Sequence, residues 1–529
     1  MIFTRINLNY LSILFITIYA FLINWLSANL GVMPIDTFSF FDSGYSILKN
    51  KLPIRDFWIF SGIVIDYFQA FFFFIFGESW KSYVFHSSFI NVFISLSFYF
   101  FLLNLKLNKI FSFIYTISFA TLCYPVSGTP FVYNHAYVFS LICIFLLCLG
   151  IKNKNPLAWI ALPIFGFLAF FSMQTPSSYI LIIILLFSAH FFFVEKDYKL
   201  LIKLIISTSC VLLFLILYLI LTRTPLDNFV YQYFLFPLTI GTERLGSEST
   251  AYVALSEQLN FARLIGEFKY IHIFYLPLIF LTTKIFIKKE KSFLKIINLI
   301  IILAIFAFLF NQLVTANQIF IFSLIPILAA ILHLNLQHYK FKNVFLFIGI
   351  FLLFFVTIKY HFRYNVDRKF HDLENINKKN AISAEIVSNK MKYLKWITPY
   401  SENLDPKTEL KIISDAIQTL KSDSRSKTII TNYQFFSLIL NEDLNLINRW
   451  YLWGNDTHPT KGHKYFDFYK KMINKNIDKN NVEVIYLLGQ HKGELVLKDI
   501  KQYFSDKCFK SEIFIEKRFS SHEIIECKN

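Results

Sequence analysis

Between residues 8 and 360 the chain consists of long apolar runs separated by short polar links, and beyond residue 360 such runs stop. A membrane-crossing helix needs about 20 apolar residues. The runs at 8–30, 80–104, 109–125, 132–150, 156–173, 177–194, 200–221, 271–287, 294–313, 317–334 and 342–360 read as eleven such spans. Composition agrees: of 529 residues 55% are hydrophobic and 65 are Phe, a load that soluble domains do not carry. The first run is too long for a signal-peptide core and lacks a small-residue cleavage site after it, so it reads as an anchor. The expected fold is a polytopic α-helical membrane protein over 1–360, followed by a soluble domain over 361–529.

The formal net charge of +17 is clustered between the apolar runs: Lys152 and Lys154; Lys196, Lys199 and Lys203; Lys284, Lys288, Lys289, Lys291 and Lys295; Lys340 and Lys342. Positive clusters mark cytoplasmic links. With the N-terminus inside, the inner segments and their flanks carry Arg5 and fourteen Lys against Glu195, Asp197 and Glu290. The outer segments of the membrane part carry nine cations against ten acids. That count places the loops 31–79 and 223–270 and the domain 361–529 outside. In a bacterium, this is the periplasmic side of the cytoplasmic (inner) membrane. A nucleic-acid partner is not expected, because the basic residues do not gather into one stripe. Cys123, Cys143, Cys148 and Cys210 fall in or beside spans. Cys508 and Cys527 are the pair in the outer domain, either a disulfide permitted by an oxidising compartment or two free thiols.

The loop 31–79 is too long for a plain connection, and long ordered loops are usually functional. Phe38, Phe41, Tyr45 and Leu48 recur at helical spacing, with Asp42, Ser46 and Lys49 on the other face. This predicts an amphipathic helix on the membrane surface, its Asp42 carboxylate turned away from the acyl chains. Leu52-Pro53-Ile54-Arg55-Asp56 breaks the helix. A second apolar stretch, 62–76, contains Asp66 and Gln69 and ends at Gly77. It is short for a span, and counting it as one would invert every later Lys cluster, so it reads as a second interfacial helix.

The run DSGYSILKNKLPIRDF, then a short apolar helix, then IFGES, resembles the first outer loop of the GT-C glycosyltransferases. These include the protein O-mannosyltransferases and the bacterial lipid A aminoarabinose transferases. Asp42, Tyr45, the Leu52–Asp56 turn and Phe76-Gly77 hold the places of the family pattern. Two departures stand: Ser43 follows Asp42 where some members pair two acids, and Ser61-Gly62-Ile63 replaces the usual Gly-Pro. The resemblance implies a membrane glycosyltransferase that uses a polyprenyl-phosphate sugar donor and an acceptor on lipid, protein or glycan at the outer face, with inversion. The phosphate leaves readily, so the remaining task is deprotonation of the acceptor by a general base. Asp42 is the first candidate and Asp56 the second. Guanidinium groups suit the departing phosphate, and the outer candidates are Arg55, Arg244 and Arg263, with Lys49 beside them. No cofactor is expected to be required, although some relatives use a divalent cation. No metal-ligand spacing occurs, and His458 and His463 lack a third partner.

Further polar residues sit near outer ends of spans: His86, the Tyr133-Asn134-His135 trio, Gln174, Asn311, Gln312, Asn317 and Gln318. Substrate binding and plain helix capping both account for them. In the outer domain, 385–397, 407–422 and 465–477 read as helices and 427–433, 481–489 and 511–519 as strands, an α/β layer. Trp450, Tyr451 and Trp453 either stack on a sugar or fill a core. Rival functions are a lipid-linked glycan ligase or polymerase, a transporter or flippase, and a scaffold without catalysis.

Overall fold

The computed structural model describes residues 2–123, 127–245, 260–288, 293–315, 321–399, 404–451, 457–489, 500–516 and 518–527, with side chains from residue 10 onward except those of 243–245. Among the described residues nine helices are long and apolar enough to cross a membrane: Tyr10–Ala28, Trp80–Asn104, Val132–Asn153, Gln174–Glu195, Tyr198–Leu221, Phe261–Ile287, Phe293–Thr315, Ile321–His338 and Asn343–His371. Two further spans expected at 109–125 and 156–173 are helices of 15 residues, Lys109–Cys123 and Pro156–Phe170. At 1.5 Å per residue each is about 22 Å long, less than the ~30 Å apolar layer of a bilayer.

The helix ends follow local chemistry. Gly77, at φ +82°, closes the helix Val64–Phe76, and the Ser79 hydroxyl accepts the amide of Ser82 to open the next one. Asn155 before Pro156, Asp197 before Tyr198 and Asn260 before Phe261 cap three more. Val132–Asn153 lies at the centre, with 83% of its apolar window buried. Tyr198–Leu221 buries 6% of its own and turns Leu212, Phe214 and Ile220 outward. An outward apolar face of that size is suited to lipid, not to water.

Residues 29–63 fold onto one end of the bundle, the loop end. Phe41–Leu48 forms a helix, but it does not begin at Phe38 and it has no solvated face: Phe41, Asp42, Ser43, Gly44, Tyr45 and Ser46 are all buried. It is covered by Val64–Phe76 on one side and by the C-terminal helix Phe436–Leu440 on another. The surface helix with a free Asp42 is thereby corrected. The cause is a partner that lies about 395 residues away in sequence. Val64–Phe76 is two-faced: it buries Asp66, Gln69 and Phe73 and exposes Phe71, Phe74 and Ile75.

The C-terminal region carries a four-stranded mixed sheet in the order Lys427–Thr431, Val484–Leu488, Phe519–Ile525, Cys508–Ile515. The first pair is parallel and the others antiparallel. The helices Pro406–Ser422 and Phe466–Lys479 match the expectation. The strand expected at 511–519 is matched over 511–515, within Cys508–Ile515, and the next strand begins at Phe519. The helix expected at 385–397 is replaced by two single 3-10 turns and a short strand. There the backbone of Lys395 and Ile397 bonds Asn29, Gly31 and Val32 at the exit of the first span. Tertiary pairing has overridden helical periodicity. The structure joins Cys508 to Cys527.

The two halves are fastened by a buried ion pair. Asp66 Oδ2 lies 2.5 Å from Arg449 Nη1, and both side chains are at most 1% exposed. Breaking such a pair by removing one partner costs about 3–5 kcal/mol. Arg449→Met should therefore lower thermal stability in detergent by that order, and Asp66→Leu combined with Arg449→Met should recover part of it. Equal losses in single and double variants would show that the pair is not the clamp.

Candidate functional site

The site is assembled at the loop end from residues far apart in sequence. Asp66 accepts the Ser43 hydroxyl at 2.5 Å and the Arg449 guanidinium, which also bonds the Gly62 carbonyl at 2.8 Å and the Ser61 hydroxyl. Arg449 lies over the Phe40 ring at 5.0 Å. Burial raises the pKa of Asp66, and Arg449 and Ser43 oppose that rise. Neither Asp66 nor Arg449 was singled out from the sequence as a site residue. Asp66 inside a short apolar helix was the available signal, since an acid there needs a partner.

Asp42 is 3% exposed. Its two carboxylate oxygens accept the backbone amides of Leu438 at 3.0 Å and Ser437 at 3.2 Å. Burial pushes its pKa up from 3.8 to about 7, while the amides pull it down. Of the five acids in the loop 31–79, three have cations: Asp56 with Arg55 at 2.6 Å and Lys479 at 3.5 Å, Asp66 with Arg449, and Glu78 with Lys390 at 3.3 Å. Asp42 and Asp36 have none among the described residues. Asp36, which sequence reasoning passed over, is also raised to about 7 by burial and by Asp372.

The other expected site residues divide between this centre and separate places. Tyr45 is buried on the Asp42 helix and donates its hydroxyl to Asn441 at 3.0 Å. Lys49 is exposed and lies 5.1 Å from the Tyr45 ring centre. Arg55 is committed to Asp56 and to the carbonyls of Thr222 and Asn50. The adjoining Ile54 takes φ +72°, a strained value for a β-branched residue. It is held there by Asn228 and Gln232, which both donate to its carbonyl. Arg263 pairs with Glu267. Arg244 lies in the helix Phe236–Leu245, and its side chain falls outside the described residues, as do Asn317, Gln318 and Trp453. Trp450 and Tyr451 are buried.

His135 meets His86, ring nitrogen to ring nitrogen, at 2.9 Å, and Asn134 donates to the Cys123 carbonyl. Tyr133 is buried near Phe131. Gln174 donates its amide to the carbonyls of Phe60 and Tyr233, and its own oxygen is buried without a partner among the described residues. It borders a cavity of about 240 Å³ lined mainly by apolar groups, among them Phe60, Met173, Ile240 and Phe310, with Asn311 and Thr315. Asp42 is not among the lining residues. Among the described residues no group of three His, Cys, Asp or Glu could hold a metal. No protein-family model matches the chain, and no curated protein matches it.

The raised pKa of Asp42 has a signed consequence. An acid whose folded pKa is raised binds its proton more tightly in the folded state. Its contribution therefore favours folding at low pH and is lost as the pH rises from about 4 to about 7. Denaturation midpoints measured across that window should fall more steeply for the wild type than for Asp42→Asn. Parallel curves would show that Asp42 titrates at its ordinary value.

Proposed function

We propose that the chain is a membrane glycosyltransferase of GT-C-like layout, moving a sugar from a polyprenyl-phosphate donor to an acceptor at the outer face of the cytoplasmic membrane. In this reading the two 15-residue helices also cross, giving eleven spans, with the N-terminus inside and the C-terminal domain outside. The observation that carries it is the isolation of Asp42: a buried carboxylate, raised to about 7, held by two amides and, among the described residues, by no cation. A general base works best when its pKa lies near the working pH. Asp56 and Asp66 are tied to cations and suit structural work instead.

Each part then has a task. Asp42 takes the acceptor proton once the C-terminal domain withdraws the Ser437 and Leu438 amides. Lys49, exposed beside Tyr45, faces the departing phosphate. The cavity beside Gln174 receives apolar carrier chain at the same end of the bundle. The step breaks the anomeric carbon–phosphate oxygen bond and forms a bond to the acceptor oxygen or nitrogen. The acceptor proton goes to Asp42 and the electron pair to the phosphate.

A second reading has its own observation. The same two amide bonds make Asp42 a pure anchor for the C-terminal domain, with no chemistry. Mass comparison of envelope glycolipids and glycoproteins between a deletion strain and its parent identifies the product. Complementation by Asp42→Asn should then leave the deletion pattern unchanged, whereas Asp36→Asn and Asp56→Asn should restore transfer. Limited proteolysis should show the C-terminal domain of Asp42→Asn still docked. Full transfer by Asp42→Asn would refute the base, and a domain released by the substitution would favour the anchor.

A further inference from the structure

A buried chain of ring nitrogens at the loop end has a proton count that its contacts limit to two values. His135 Nδ1 lies 3.0 Å from the carbonyl oxygen of Phe131, which can only accept, so Nδ1 carries hydrogen. His135 Nε2 lies 2.9 Å from His86 Nε2, so one of those two carries hydrogen. His86 Nδ1 lies 3.0 Å from Gln69 Oε1, which again can only accept. Three hydrogens are then shared by four ring nitrogens. Two neutral imidazoles supply two. With the Gln69 oxygen on His86, the arrangement holds one proton beyond the neutral pair.

Turning the Gln69 amide end for end changes the count by one. Its nitrogen then donates to His86 Nδ1, His86 Nε2 donates to His135 Nε2, and both rings are neutral. Each orientation completes all three contacts, so the amide and the proton move together. With the oxygen on His86, the buried Gln69 nitrogen is unbonded among the described residues. Both histidines and Gln69 are fully buried.

The surroundings leave the proton to this trio. The rings of Phe68, Phe72 and Phe139 enclose the pair. Five titratable groups on the packed elements are occupied elsewhere. Asp66 is held by Arg449 and Ser43, and Asp42 by two amides. Tyr83 donates to the Thr37 carbonyl, Tyr45 to Asn441, and Tyr137 shares a hydrogen bond with Ser323. Ionisable groups this deep among apolar helices are costly and usually have work to do.

We propose that Gln69, His86 and His135 form a binding site for a single proton, shared between the two rings and gated by the Gln69 amide. The assignment does not depend on the glycosyl-transfer reading.

The test is a pH titration of the full-length protein in nanodiscs, with nitrogen-15 labelled histidine read by NMR. The signals of His86 and His135, assigned by loss in His86→Gln and His135→Gln, should move together at one midpoint. Gln69→Glu supplies an acceptor that cannot turn into a donor. It should raise that midpoint by about one pH unit or more, a tenfold tighter hold on the proton. Gln69→Leu removes the acceptor and should lower the midpoint. Gln69→Glu and Gln69→Leu are compared at matched circular dichroism, so that a misfolded variant is recognised. Rings that stay neutral from pH 4 to 8 in wild type and Gln69→Glu alike, or that titrate independently, would overturn the proposal.

Discussion

The anion of Asp66 is the point on which the loop end depends. Desolvating a carboxylate and a guanidinium costs several kcal/mol each, and their attraction compensates only when the remaining hydrogen-bonding sites are filled. Here Ser43, Ser61 and the Gly62 carbonyl fill most of them, and Arg449 Nε stays buried without a partner among the described residues. Three segments thus converge on one charge: the Phe41–Leu48 helix through Ser43, the Val64–Phe76 helix through Asp66 itself, and the C-terminal region through Arg449. A pair so placed contributes register more than net stability. The backbone agrees, since Trp58 donates to Ile447 and Arg449 donates to Trp58, a short run of pairing between loop and domain. The Trp58 indole then reaches the Thr457 carbonyl and fixes the next turn.

The sequence shows the parts of this arrangement and not their meeting. Apolar length set the long helices well, and the span read at 80–104 is the helix Trp80–Asn104. The first strand of the C-terminal sheet and both long helices there were equally legible, because local pattern decides them. The segment 385–397 was not, because its backbone is taken by the chain leaving the first span. Asp42 looked solvated because its periodicity is amphipathic, and nothing local announces the amides of Ser437 and Leu438. His86 and His135 were each visible as polar residues near span ends. Their contact spans 49 positions, and Asp66 and Arg449 stand 383 apart. Helical periodicity carries no information over such distances.

The acids of the loop differ in what would follow if a neighbour moved. Asp66 is held by a buried cation, and separating that pair leaves an uncompensated charge on each side, whereas Asp56 is held by Arg55 and Lys479, whose side chains reach solvent. Asp42 is held by two amides at the start of a short helix. Withdrawing them frees one carboxylate and leaves two amides that water can satisfy. The cost is that of ordinary hydrogen bonds, about 0.5–1.5 kcal/mol each, or up to about 3 to a charged group. A rigid shift of the C-terminal domain on its Arg449 pivot is thus compatible with freeing Asp42 while the Asp66 pair stays closed.

Gly44 connects this helix to the histidine pair. A β-carbon at that position would lie 2.7 Å from Gln69 Cγ and 2.9 Å from its Cβ, so the helix carrying Asp42 and Ser43 rests directly on the Gln69 side chain. Close packing of this kind transmits small displacements instead of absorbing them. Gln69 also follows Asp66 by three residues, one turn along the same helix. A single side chain therefore touches the His86 ring, abuts the backbone between Ser43 and Tyr45, and shares a helical face with the anion that pins the domain.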